Sequence, residues 1–278
     1  MTEGVDDHWL PIETYLTALD RETRRFREVL AGAPAGTPVP SCSAWDVDDL
    51  LWHLGGEVQD FWAWTIAHRP EVPRDWPEPP RPDGRAALLD ALDRAHEELM
   101  LRVRNADPGE GAWSWTEDPR LHTVGFTMRR QAHEALIHRV DAEQAVGDRT
   151  PLDPRLAADG IVECLEWMYG EHPAWGSFAD DGSRVVIEAT DTGRRVLLAL
   201  GRLTGHDPDE GEDVDEADLR VLDPELHDGT TPRDLTISGS AEDVDLWLWH
   251  RGPIGRLAVE GDEAVLERIT GILGEPID

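Results

Sequence analysis

Apolar residues recur at helical spacing through the first half of the chain and in short alternating runs through the second. Between about Leu10 and Leu30, the positions of Leu16, Leu19, Phe26 and Leu30 predict a helix that buries one face. Ser43, with Asp46 three residues later, resembles a capping box. Val47, Leu50, Leu51, Leu54, Val58, Phe61 and Trp62 then repeat at helical period, predicting a second helix from about Trp45 to His68. Six prolines between Arg69 and Gly84 forbid a helix interior and predict an extended surface crossover. The helical pattern returns from Ala86 to Val103 and from Phe126 to Val146, where Gly147 is placed to end it. Four helices with one long crossover make a bundle. Asp153 and Pro154, as N-cap and first helical residue, predict a fifth helix reaching about Tyr169.

After Gly170 the texture changes. Arg184-Val-Val-Ile-Glu-Ala-Thr and Arg195-Val-Leu-Leu-Ala-Leu are β-rich runs around Asp191-Thr-Gly-Arg, which predicts a hairpin. An acidic loop is expected from His206 to about Asp218. Beyond it come a strand near Asp234-Leu-Thr-Ile-Ser, a helix from Ala241 to His250, a strand at Leu257-Ala-Val and a last helix from Glu263. The expected fold class is therefore α+β, with a four-helix bundle over 1–170 followed by a smaller mixed α/β domain over 171–278.

Composition narrows the functional classes. The 278 residues are 40% hydrophobic, which fits a folded globular protein, and they include 26 basic against 58 acidic side chains for a formal charge of -32. Such a charge repels phosphate backbones and anionic lipid headgroups, so neither nucleic acid nor a membrane surface is an expected partner. Every basic residue is Arg, which excludes Schiff-base lysine chemistry and a Walker-type phosphate loop. Cys42 and Cys164 are too few for a disulfide framework, so any metal must rest on His and carboxylates. The opening Met-Thr-Glu-Gly-Val-Asp-Asp lacks an apolar signal core, and no run of about 18 apolar residues occurs. The expected location is cytoplasmic.

Against that background a few residues stand out. Glu134 and His138 are four apart on the last bundle helix, so a carboxylate and an imidazole share one face, with Asp141 and Ala145 continuing the stripe. Such a pair is more often a helix-stabilising contact than a metal site, but Ala135, Ala142 and Ala145 beside it would let another helix approach closely. Arg130, one turn earlier, is expected to pair with Glu134 and orient it. His53 falls at the edge of the apolar stripe of the second helix, beside Leu50, Glu57 and Trp64. Glu57 reads as an acceptor for its imidazole or, more simply, as a solvated carboxylate. His133 points away from Glu134 and reads as surface or packing. Cys42 lies before a helix N-terminus that would lower a thiol pKa, although a buried structural cysteine is the plainer reading.

The segment Pro40-Ser-Cys-Ser-Ala-Trp-Asp-Val-Asp-Asp-Leu-Leu-Trp-His53, taken with Arg130-Gln-Ala-His-Glu134-Ala-Leu-Ile-His138-Arg-Val-Asp141, resembles the mycothiol-dependent maleylpyruvate isomerase family of actinobacteria. Trp45, Val47, Asp49, Leu50 and His53 fit one family motif without a gap. The C-terminal run Ser238-Gly-Ser-Ala-Glu-Asp-Val-Asp-Leu-Trp-Leu-Trp-His-Arg251, with Val259-Glu-Gly-Asp262, is similar to the family's second domain. The resemblance implies a DinB-like bundle whose metal ligands would be His53, Glu134 and His138, with Asp141 outside the ligand set. It further implies zinc as the metal and mycothiol as the thiol. The reaction would be isomerisation or thiol transfer on a small organic acid or electrophile. Arg251, where the family carries an arginine, would hold a substrate carboxylate. A metal-dependent hydrolase of the same fold and a non-catalytic binding module are the alternatives.

Overall fold

The structure is a computed structural model that describes residues 8–274 and residue 277. Its first helix, α1 (Ile12–Gly32), buries Leu16, Leu19, Phe26 and Leu30, together with Tyr15. Arg69 to Gly84 lack helix and strand, and this crossover is pinned by Trp76 Nε1, which donates to Asp60 Oδ2 at 3.1 Å, and by Arg81 Nη1, which donates to Asp49 Oδ1 at 2.6 Å. α4 (Arg85–Asn105) and α5 (Val124–Val146) complete the bundle. Thr123 caps α5 through a bond from Phe126 N–H, and Gly147 closes it at φ 72°, the left-handed conformation that glycine adopts without steric cost. α5 is buried on nearly every side, so its charged residues must be paired. Arg139 Nε donates to Glu22 Oε2 of α1 at 2.7 Å, and Glu143 accepts from Arg25 Nε at 2.7 Å and from Arg139 Nη1 at 3.0 Å. This buried network fixes α5 against α1 and so sets the position of the α5 residues argued below.

The second predicted helix differs in two respects. Its N-cap is Asp46 rather than Ser43: Asp46 Oδ1 accepts from Asp48 and Asp49 N–H, and Asp49 Oδ2 accepts from Asp46 N–H at 2.9 Å. The helix is also divided into α2 (Val47–Trp52), a π-helical segment His53–Gln59 and α3 (Asp60–His68). In the π segment Asp60 N–H bonds to Gly55 O, five residues back, so one extra residue is accommodated in the turn. Gly55 and Gly56 explain the location. A Cβ on Gly55 would lie 2.9 Å from Leu92 Cα of α4, and one on Gly56 would lie 2.3 Å from Trp52 Cζ3. A regular helical wheel cannot anticipate that widening.

The chain divides at Thr150/Pro151, with Leu10–Thr150 as one unit and Pro151 onward, joined by His8 and Trp9, as the other. This is earlier than the boundary expected after residue 170. The fifth helix, present as α6 (Pro154–Glu163) and a π segment Cys164–Tyr169, belongs with the sheet because it packs there on the helix that follows β4.

The second unit contains β1 (Ser177–Ala189), β2 (Arg194–Asp207), β3 (Glu212–Asp223), β4 (Leu235–Gly239), α7 (Ala241–Leu248), β5 (Ala258–Gly261) and α8 (Glu263–Ile272). The strand order is β3-β2-β1-β4-β5, with β1 and β4 parallel and the other neighbours antiparallel, which makes a mixed sheet. The expected acidic loop is instead the hairpin of β2 and β3, paired from Leu197↔Asp223 to Asp207↔Glu212. Most of the acids of β3 stand exposed on an edge strand while Leu219 is buried. Charge on an edge blocks pairing with other chains, and the same charge hides the alternation that marks a strand. Among the described residues, no helix is long and apolar enough to cross a membrane.

Candidate metal centre

Spacing on α5 places Arg130, Glu134, His138 and Asp141 along one side, three or four residues apart. Arg130 Nη2 donates to Glu134 Oε2 at 2.7 Å, as expected. The other carboxylate oxygen, Glu134 Oε1, lies 2.9 Å from His138 Nε2. The far nitrogen of that ring, Nδ1, donates to Asp141 Oδ2 at 3.0 Å. Asp141 is fully buried, and its Oδ1 accepts from Ser41 Oγ at 2.5 Å.

His53 opens the π segment and reaches the same point from the opposite element. Its Nε2 is 3.8 Å from Glu134 Oε1, and its ring stands 5.0 Å from that of His138 at 82°. Nδ1 of His53 donates to Glu57 Oε2 at 2.9 Å, and Trp45 covers a ring face at a centroid distance of 4.7 Å. Each of His53, Glu134 and His138 offers a ligand atom within 4.8 Å of the others. Donors held tetrahedrally at about 2.1 Å from one zinc lie roughly 3.4 Å apart, so the separations are already close to those of a bound ion. The chemistry of the donor set fits a dication as well. Both imidazoles spend Nδ1 on a carboxylate, which turns Nε2 toward the common centre and raises its basicity.

The electrostatics are those of a centre prepared for positive charge. Burial disfavours ionisation of Glu134, but the Arg130 guanidinium and His138 overcome it and hold the carboxyl well below the usual carboxylate range. Burial likewise disfavours a charged His138, yet Glu134 and Asp141 outweigh it and push the imidazole up to about 9. A dication and this proton compete for Nε2. The sign is therefore fixed: metal affinity rises with pH while His138 is protonated and levels off above its pKa. The expected result is about a tenfold gain per pH unit between pH 7 and roughly 9, with one proton released per ion at pH 7. Chelator-competition titrations across that range check it, and a flat profile would contradict the assignment of His138.

Other expected positions resolve differently. Glu57 bonds to His53 rather than merely facing solvent. His133 is buried against the Tyr15 ring at 6.2 Å and lies outside the group. Cys42 is half-buried against an apolar cluster that includes Val39 and Val47, less enclosed than the buried cysteine expected. Arg251 lies in the other unit, after α7, where its Nη1 donates to Trp249 O at 2.6 Å. Ser41 is not predictable from spacing, for no local rule connects it to Asp141 a hundred residues away; its one signal in the sequence is its place in the segment ending at His53.

Comparison with known proteins bears on this arrangement. Residues 16–143 match the family described as mycothiol maleylpyruvate isomerase N-terminal domain, and residues 155–268 match the MDMPI C-terminal domain. An uncharacterised protein of Mycobacterium tuberculosis (strain CDC 1551 / Oshkosh) is 30% identical over 154 residues, covering 53% of this chain and 75% of the relative. The same figures hold for an uncharacterised protein of the strain ATCC 25618 / H37Rv. A crystal structure of the mycothiol-dependent maleylpyruvate isomerase superposes with a TM-score of 0.57 at 15% identity, covering 92% of this chain and 95% of that one. A histidine-to-alanine mutant of that enzyme gives a TM-score of 0.58 at 13% identity with the same coverage. At such identities the likeness is one of fold.

Proposed function

The chain belongs to the mycothiol maleylpyruvate isomerase family, and from that premise we propose that it is a metal-dependent, thiol-using enzyme acting on a small organic acid or electrophile. His53, Glu134 and His138 would hold one divalent cation, and mycothiol would be the thiol. The observation that carries this reading is the convergence of the three side chains, from two helical segments far apart in sequence, to within 4.8 Å. Two imidazoles and one carboxylate suit zinc and leave a coordination position open, as in catalytic rather than structural sites. When bound together, the cation and the thiol supply a sulfur nucleophile at neutral pH, suited to reversible addition to a conjugated double bond or to thiol transfer.

The protein's own groups prepare that chemistry. Asp141 and Glu57 fix a proton on Nδ1 of each histidine and so keep both Nε2 atoms facing the centre. Arg130 holds the Glu134 carboxylate in one orientation. Trp45 keeps water from one face of the His53 ring. Arg251 is proposed to hold a substrate carboxylate; its support is its place in the C-terminal motif and the two-pronged fit of a guanidinium to a carboxylate. A reaction that depends on a thiol kept reduced belongs in a reducing compartment, and we propose the cytoplasm.

The test couples elemental analysis of protein purified without chelators to turnover of a panel of electrophilic organic acids, with and without mycothiol. Near-stoichiometric zinc with thiol-dependent turnover is the expected result, and zinc and mycothiol should each raise the melting temperature. Turnover indifferent to the thiol would replace this reading with a hydrolase. A chain that takes up no zinc would be a binding module.

A further inference from the structure

We propose that Ser41 is a positioning residue for the metal centre, and that the loop from residue 37 to residue 47 clamps both metal histidines at once, through Ser41 on Asp141 and through Trp45 on His53. The inference rests on the zinc reading given above.

The loop is a braced piece of backbone. Pro38 and Asp46 form an antiparallel bridge, Val39 N–H donates to Trp45 O at 3.0 Å, and Val47 N–H donates to Thr37 O at 3.0 Å. Inside these bonds Cys42 N–H donates to Val39 O at 3.2 Å and Trp45 N–H to Cys42 O at 2.8 Å. Ser41 and Trp45 are therefore held by one set of turns, and a shift of one is passed to the other.

Each contact addresses a degree of freedom that α5 and the π segment leave open. The carboxyl torsion of an aspartate is soft and nearly two-fold, so a single bond to His138 does not fix the carboxylate plane. Ser41 Oγ, donating to Oδ1 while His138 Nδ1 donates to Oδ2, occupies both ends of the buried carboxylate and locks that plane. The orientation of the His138 ring follows from it. On the other side His53 is half-buried, and Glu57 restrains only its Nδ1. The Trp45 ring, tilted 45° over the imidazole, limits its swing about the remaining axis. One loop thus sets the angle of both Nε2 donors, and binding of an ion between them has to be felt by the Trp45 indole.

The experiment compares wild type, Ser41→Ala, Ser41→Thr and Trp45→Phe by zinc competition against a chelator, by the visible spectrum of the cobalt-loaded protein, and by indole emission with and without zinc. Loss of an outer partner of a ligating histidine typically weakens metal binding about 10–100-fold, and Ser41→Ala is expected near the lower end, with an altered cobalt spectrum. Ser41→Thr, which keeps the hydroxyl, should restore affinity and spectrum. Zinc should change the emission of wild type, and Trp45→Phe should remove most of that change. An affinity of Ser41→Ala within about twofold of wild type, or equal weakening by Thr and Ala, would overturn the role of Ser41, since outer-partner losses are larger than this and depend on the hydroxyl. If Ser41→Ala does not fold, the emission comparison decides: an identical zinc response in wild type and Trp45→Phe overturns the clamp. Wild type that loads neither zinc nor cobalt would sink the parent reading, a result distinct from a loaded wild type matched by Ser41→Ala.

Discussion

Glu134→Ala is expected to abolish stoichiometric zinc and to destabilise the metal-free protein by about 3 kcal/mol, the usual cost of removing one partner from a buried charge cluster. Glu134 is the only carboxylate in the triad, and both its oxygens are used: Oε2 by Arg130, and Oε1 by His138 and, more distantly, His53. Without it, the 3% exposed Arg130 loses its salt bridge to Glu134. His138 loses the group that most favours its charge, so its imidazole titrates downward and part of the electrostatic cost is relieved by neutralisation. Glu134→Gln separates the two effects. The amide keeps the volume and an oxygen for Arg130, so stability should fall less, while zinc is still lost because a neutral amide is a poor ligand for it. Urea unfolding of chelator-treated proteins and elemental analysis of untreated ones give both readings. Zinc retained by either variant would remove residue 134 from the ligand set.

The bundle was legible because its helices carry apolar stripes of ordinary period and end on residues with a physical reason to end them. Gly147 terminates α5, and Pro154 follows the Asp153 N-cap of α6, both where the sequence predicts. The α5 half of the candidate centre was readable for the same reason, since a spacing of four on a regular helix brings Glu134 beside His138. Placing His53 beside them required the family motif, because no local rule relates positions 53 and 134. Two features stayed hidden for physical reasons. In β3 half of the side chains are acidic, so charge masks the alternation that Leu219 and Val221 would otherwise show. In the π segment Asp60 N–H reaches back five residues to Gly55 O, a turn wider than the 3.6-residue period of a regular helix. The boundary expected after residue 170 differs from the division at Thr150/Pro151 because a change of texture at Gly170 marks where strands begin, whereas packing groups the helix before it with the sheet.

That wide turn leads to the second large effect. Gly56→Ala is expected to weaken zinc binding by more than about a hundredfold, beyond what loss of an outer partner costs, because it acts on the presentation of His53 itself. The new methyl would meet Trp52 Cζ3, Cη2 and Cε3 at 2.3, 2.4 and 2.5 Å, and the Trp52 ring is buried at 6% exposure with little room to retreat. Overpacking of this kind costs roughly 1–3 kcal/mol, partly offset by the higher helix propensity of alanine. The stability loss should therefore be modest, but the relief of the clash is what matters. Either Trp52 moves, carrying the adjacent His53 with it, or the segment tightens toward an α-helix and rotates His53 relative to Glu134. Gly147→Ala serves as the control. Its φ of 72° makes alanine strained, yet no atom lies within 4 Å of the added Cβ, so it should cost about 1 kcal/mol and leave zinc affinity intact. Measuring both variants by urea unfolding and chelator competition separates loss of stability from loss of site geometry. If Gly56→Ala bound zinc as tightly as wild type, the widened turn would not be what aims residue 53 at the centre, and the regular-helix account of that segment would suffice.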